Sequence, residues 1–188
     1  LSLGQFSILI KSQSGGFYLF DILIAVFVLY GIATLLNNGF KFPKYSLYFY
    51  AFTFLALIEL IPSFFKLGLG DFLTSSSYLL RWFLYLTSSV VVFNMLKKNF
   101  ITKNALIKLF IYSALFISIA GFIQLLVLPD FTVLDPSLGW DPHKNRLAST
   151  FFDPNFTGGY LVLCITLALY SNTLKKFNLG QKVIFLLV

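Results

Sequence analysis

The sequence has little charge: of 188 residues, 14 are Lys or Arg and 7 are Asp or Glu, 11% together, where an average soluble domain carries roughly 25%. A soluble fold of this length cannot hide so much apolar surface, and that class is set aside. The chain has one cysteine, Cys164, which excludes an intrachain disulfide and a cysteine-built metal cluster. Cys164 lies inside an apolar block and reads as a small buried packing residue. The one histidine, His143, has no second ligand at metal-binding spacing. It reads as a solvated loop residue, with general acid or base as the alternative. The formal charge of +7 has no soluble basic domain to carry it, so nucleic acid is not an expected partner. No internal repeat stands out, and no cleavable signal peptide is recognisable, since the first apolar block is too long and has no basic flank before it.

What the chain has in quantity is apolar surface, 58% of residues with Phe occurring 24 times. It falls in blocks near the ~20 residues that a helix needs to cross the hydrocarbon core. The fold class expected is all-α, a polytopic transmembrane bundle forming a single domain over 1–188, with spans at 17–36, 45–61, 72–95, 105–128 and 157–174 and a sixth cut off at 183–188. The start at Leu1 and the end within an apolar run make it read as an internal piece of a longer protein.

Basic residues in short loops stay on the cytoplasmic side. Lys41, Lys44, Lys97, Lys98, Lys103, Lys175, Lys176 and Lys182 follow spans one, three and five, in loops without acids, with Lys108 near the start of span four. The other loops hold Asp71, Asp130, Asp135, Asp141 and Asp153 with Lys66, Lys144 and Arg146. The first set is therefore expected inside and the second outside, which puts residues 1–16 outside and implies an upstream span. The long connection 129–156 is external, and its length makes a functional role the expectation.

Charged residues within spans are costly and are functional candidates by default. Asp21, Glu59 and Arg81 are the three, all toward the outer side of their spans. Arg81 either pairs structurally with Glu59, snorkels outward, or helps form a cationic site for a lipid-borne anion. Asp21, near a helix end, reads as a solvated interface residue. In span four, Ala114, Ser118 and Gly121 form a small-residue face suited to close helix packing.

The external loop ends in Arg146-Leu-Ala-Ser-Thr-Phe-Phe-Asp153-Pro154-Asn155-Phe-Thr-Gly158-Gly159-Tyr160. Pro154 keeps Asp153 out of helical geometry, and Asn155 or Thr157 can cap the following helix. That helix then presents free N–H groups and its positive dipole end outward, an anion site, with Gly158 and Gly159 allowing close approach. Arg146 adds a planar, permanently charged fork for phosphate oxygens. The alternative is a capped helix with glycines for packing. Trp140 and Tyr160 read as interfacial anchors or as stacking surfaces for sugar rings.

This order of parts, with Tyr78-Leu-Leu-Arg81-Trp82 in the third span and Arg146 to about Leu161 before a glycine-started span, resembles the O-antigen ligase and O-antigen polymerase family, in its N-terminal part only. The resemblance implies a glycosyltransferase-C-like bundle of many helices. It also implies a metal-independent, cofactor-free, inverting transfer from a polyprenyl-pyrophosphate-linked glycan to a glycan, lipid or protein acceptor. The site would face the periplasmic or extracellular side of the bacterial plasma membrane. It further implies that Arg146 engages donor phosphate or sugar, that Asp153, Asn155 and Gly158 shape the pocket, and that Arg81 matches a further family arginine. The family's second large external loop lies beyond Val188, so this piece would hold part of an active site. A polysaccharide or lipid transporter or flippase segment is the alternative, although transporters usually place their polar residues near the midplane. A non-catalytic membrane scaffold is the third reading.

Overall fold

A computed structural model describes residues 4–12, 15–36, 39–66, 68–134 and 142–170. The chain divides into two compact units, Ile8–Ile101 and Leu1–Ser7 with Thr102–Val188. Among the described residues, four helices are long and apolar enough to cross a membrane.

In the first unit, strand β1 (Ile8–Ser12) pairs antiparallel with β2 (Gly15–Tyr18) and leads directly into helix α1 (Leu19–Leu36). The first span was expected from residue 17, but the backbone of β2 is occupied by ladder hydrogen bonds and the helix starts two residues later. Helices α2 (Lys44–Lys66) and α3 (Leu69–Lys97) complete the unit, and α3 packs on both α1 and α2. Asp21, Val28, Gly31 and Leu35 are the buried residues of α1, spaced at 7, 3 and 4 along one helix face. At Gly31 the side chain of Val91 fills the space a Cβ would occupy, so the absent Cβ sets the approach of α1 to α3. Between α2 and α3 the contacts are polar as well as aromatic: Trp82 Nε1 donates to Thr53 Oγ1 at 3.0 Å, and Trp82 packs its ring on Phe49 and Phe52. Asn94 is fully buried; its Oδ1 accepts Lys41 N–H and its Nδ2 donates to the carbonyls of Lys41 and Val90, fixing the α1–α2 connection to α3.

Two boundaries differ from the expectation. The second span was expected to end before Pro62, yet α2 runs through it to Lys66. Pro62 has no N–H to give to the carbonyl of residue 58, and the helix continues for only one further turn beyond it. α3 is 29 residues long and extends beyond 72–95 at both ends.

In the second unit, α4 (Lys103–Val127) is N-capped by Thr102, whose Oγ1 accepts Ala105 N–H at 3.1 Å. It packs against α5 (Pro154–Tyr170) around Ile107, Ile111 and Ala168. Cys164 is fully buried there, in agreement with a packing role. The expectation of five complete spans is not met by the described residues. α5 has 17 residues, about 25 Å at 1.5 Å per residue, short of a ~30 Å hydrocarbon core. Residues 171–174 and the truncated sixth span lie outside the described residues. Over the described residues the class is a helical membrane protein with four candidate spans and one small β-hairpin.

Nearly all helix faces that do not meet another helix carry large exposed apolar side chains, among them Leu23, Tyr48, Phe54, Phe65, Leu126 and Leu163. For helices of this length and composition the covering medium is lipid.

Candidate functional site

The first unit holds an ion pair. Arg81 donates from Nε to Asp21 Oδ1 at 2.8 Å and from Nη2 to Asp21 Oδ2 at 2.7 Å. Arg81 Nη2 also reaches Gly16 O at 2.8 Å, and Asp21 Oδ2 accepts Tyr18 N–H at 3.0 Å. The guanidinium carbon lies 5.3 Å and 5.5 Å from the ring centroids of Tyr18 and Tyr78, within cation–π range. Side-chain exposure is 21% for Arg81 and 8% for Asp21. Asp21 is therefore not a solvated interface residue, and the pairing of Arg81 with Glu59 is corrected: Glu59 is exposed, and the arginine's partner is the carboxylate one turn into α1. The pair fastens the β-hairpin to α1 and α3.

The second unit holds the Arg146 motif. The connection after α4 closes on itself at its base. Asp130 and Lys144 form a β-bridge and an ion pair at 2.9 Å, Phe131 N–H donates to His143 O, and Asn145 N–H donates to Pro129 O. Asp130 also accepts from the backbone N–H and hydroxyl of Thr132, and these bonds with Lys144 hold its carboxyl down to about 2. His143 is buried, its ring 4.3 Å from that of Phe131, which in turn meets Phe152. It was expected as a solvated loop residue; the closed base of the loop draws it inward. Asp135, Trp140 and Asp141 lie outside the described residues.

Within the segment 145–153, residues 147–149 lie against one face of α4. Gln124 Oε1 accepts the N–H groups of both Ala148 (2.9 Å) and Ser149 (3.2 Å), while its Nε2 donates to Leu128 O. Ser149 Oγ donates to Ile117 O, and Thr157 Oγ1 of α5 donates to Ala148 O at 2.6 Å. Leu147 covers Gly121 so closely that an added Cβ would sit 2.6 Å from its Cγ. The small-residue face of α4 thus receives this segment, with Ala114 and Ser118 also buried. A buried N–H left without an acceptor costs about 1–3 kcal/mol, so Gln124 is a substantial fastening. Three described non-glycine residues of the segment, Asn145, Ser149 and Phe152, have φ of 51°, 53° and 56°. For Ser149 and Phe152 this left-handed backbone costs about 1–2 kcal/mol each and is held by the surrounding bonds.

At the end of the segment Asp153 caps α5. Its Oδ1 accepts Asn155 N–H at 2.7 Å and Phe156 N–H at 3.2 Å, and its carbonyl accepts Thr157 N–H at 3.1 Å. Pro154, at the first helical position, has no N–H to offer. The expected caps Asn155 and Thr157 are corrected accordingly, and so is the expectation of free N–H groups: a carboxylate already occupies the positive end of α5. Arg146 is exposed and donates from Nη2 to Asn155 Oδ1 at 3.3 Å. Gly158 and Gly159 are exposed, and a Cβ added at either meets nothing within 4 Å, so no packing against the described residues requires them. Tyr160 is half-buried; its hydroxyl bonds Ser113 Oγ and its ring meets Phe151, which makes it a link between α4 and α5.

The structure therefore brings Arg146, Asp153, Asn155 and Gly158 together at the start of α5, and places Arg81 in a separate cluster within the other unit. Among the described residues, no three His, Cys, Asp or Glu side chains come together as metal ligands. Gln124 and Asn94 do not stand out in the sequence, because both are uncharged. An amide inside a span is the weaker form of the same signal. No known protein family, curated protein or solved structure matches the chain.

Proposed function

We propose that this chain is part of a membrane glycosyltransferase of the O-antigen ligase and O-antigen polymerase type. It transfers or polymerises polyprenyl-pyrophosphate-linked glycan at the outer face of a bacterial plasma membrane. The observation that carries the reading is an exposed guanidinium, Arg146, on a segment anchored by Gln124, Ile117 and Thr157 and directed against Asn155 at the start of α5. Breaking a sugar–pyrophosphate bond requires the leaving phosphates to be neutralised by fixed charge, and arginine meets phosphate oxygens with two parallel N–H bonds. In this reading Arg146 takes the donor phosphate, Asn155 orients the guanidinium, and the open backbone at Gly158 admits the substrate. Arg81, engaged by Asp21, acts through the hairpin it holds.

The test is made in the full-length protein in its native membrane. Arg146→Ala should abolish polymer assembly or ligation while the protein remains inserted at its normal level, and Arg146→Lys should recover little, because a point charge lacks the two-bond geometry. Normal glycan in the Arg146→Ala strain removes the reading. Accumulation of untransferred lipid-linked glycan on the outer face distinguishes failed transfer from failed transport.

A further inference from the structure

We propose that Gln124 of α4 is the positioning residue of the Arg146 site, an inference that rests on the reading of Arg146 as the donor-binding cation. Ile117, Gly121 and Gln124 are spaced at 4 and 3 and form one stripe of α4. Residues 147–149 sit on that stripe, each on a different member. Leu147 covers Gly121, Ser149 Oγ bonds the Ile117 carbonyl, and the consecutive N–H groups of Ala148 and Ser149 converge on Gln124 Oε1.

Two adjacent amides reach one acceptor where the residue between them has right-handed helical geometry, and Ala148 does so with φ −105° and ψ −21°. Both donors find their acceptor in a side chain of α4 rather than in its backbone. Gln124 is itself fixed, because its Nε2 donates to Leu128 O at the end of α4. The amide thus transmits the position of α4 to a turn two residues from Arg146. Neither hydrogen bond involves Arg146 directly, so Gln124 is expected to act on transfer only by placing the guanidinium.

The roles of the two amide atoms separate by substitution. Gln124→Leu removes the acceptor, whereas Gln124→Glu keeps an acceptor oxygen of the same reach and loses the bond to Leu128. Gln124→Leu should lower the rate of glycan transfer about 10- to 100-fold, the range expected when a reacting group is misplaced by about 1 Å, and Gln124→Glu should restore most of it. In an Arg146→Lys background, where a little transfer remains, adding Gln124→Leu should lower it far less than in the parent, because residues that act as one unit are not additive. Amide hydrogen exchange of the membrane-inserted protein supplies a readout independent of activity. Gln124→Leu should speed exchange at 148–149 and leave the middle of α4 and α5 protected. If Gln124→Leu fails to insert, Gln124→Met, which retains length and volume, is read in the same way.

Unchanged exchange at 148–149 overturns the positioning role whatever the activity. Effects of Gln124 and Arg146 that multiply, or a Gln124→Glu variant as defective as Gln124→Leu, overturn it too. Full activity in Arg146→Ala alone defeats the functional reading instead and removes the site that Gln124 was proposed to position.

Discussion

Removing either member of the Asp21–Arg81 pair should destabilise the first unit by about 3 kcal/mol, and removing both should cost much less than twice that. Arg81 makes three hydrogen bonds, two to Asp21 and one to Gly16 O. Asp21→Ala leaves the guanidinium with one of these acceptors, and Arg81→Ala leaves a carboxylate with 8% side-chain exposure and the Tyr18 N–H as donor. Breaking a buried pair costs about 3–5 kcal/mol. The residual backbone partners and the 21% exposure of Arg81 put both variants at the lower end. In the double variant no unpaired charge remains, so the coupling energy should be about 2–3 kcal/mol, near the top of the range for contacting residues. The assay is equilibrium unfolding of the membrane-inserted protein for the parent, both single variants and the double variant. Single costs below about 1 kcal/mol, or costs that add to within about 0.5 kcal/mol, would show that the pair is solvated and that the hairpin is held by other means.

The Asp130–Lys144 closure should be sensitive to acid. Its carboxyl titrates at about 2 in the folded chain against an ordinary 3.8, so the folded state binds fewer protons and the stabilisation is complete above pH ~4 and lost as pH falls toward 2. A side-chain carbon titration of Asp130 with a midpoint near 4 would contradict this. Glycine substitutions should split by site. Gly31→Ala drives a Cβ into Val91 and should cost about 1–3 kcal/mol, whereas Gly158→Ala enters open space and should leave stability unchanged or raise it by about 0.5–1 kcal/mol. Comparable destabilisation at both positions, read by thermal unfolding, would contradict the close approach of α1 to α3.

Spans were legible because an apolar block of span length has few other uses. The four helices from Leu19 to Val127 fall where hydropathy puts them, and the errors are at their ends. Pro62 was read as a stop, but α2 carries one more turn beyond it. The β-hairpin before α1 was not legible, since residues 8–18 show no clean alternation and their pairing depends on Arg81, 65 residues from Gly16 in sequence. The same distance in sequence hid the true partner of Arg81. Glu59 and Asp21 were both acids in apolar blocks, and only the packing of α1 on α3 decides which one the arginine reaches.

The site itself moved from backbone to side chain. A proline after an aspartate marks the aspartate as N-cap and the proline as first helical residue, and Asp153 adopts that role with its carboxylate on the amides of Asn155 and Phe156. An anion approaching α5 along its axis would meet a negative charge rather than a set of open donors. Under the proposed function, phosphate recognition would then depend on the guanidinium at the side of the helix start, where Arg146 meets Asn155. That dependence makes the placement of a single side chain decisive. It gives a physical reason for a strained segment with left-handed Ser149 and Phe152 to be fastened to α4 at Ile117 and Gln124 and to α5 at Thr157. A loop serving only to connect two helices could relax both residues out of the left-handed region, and would gain stability by doing so.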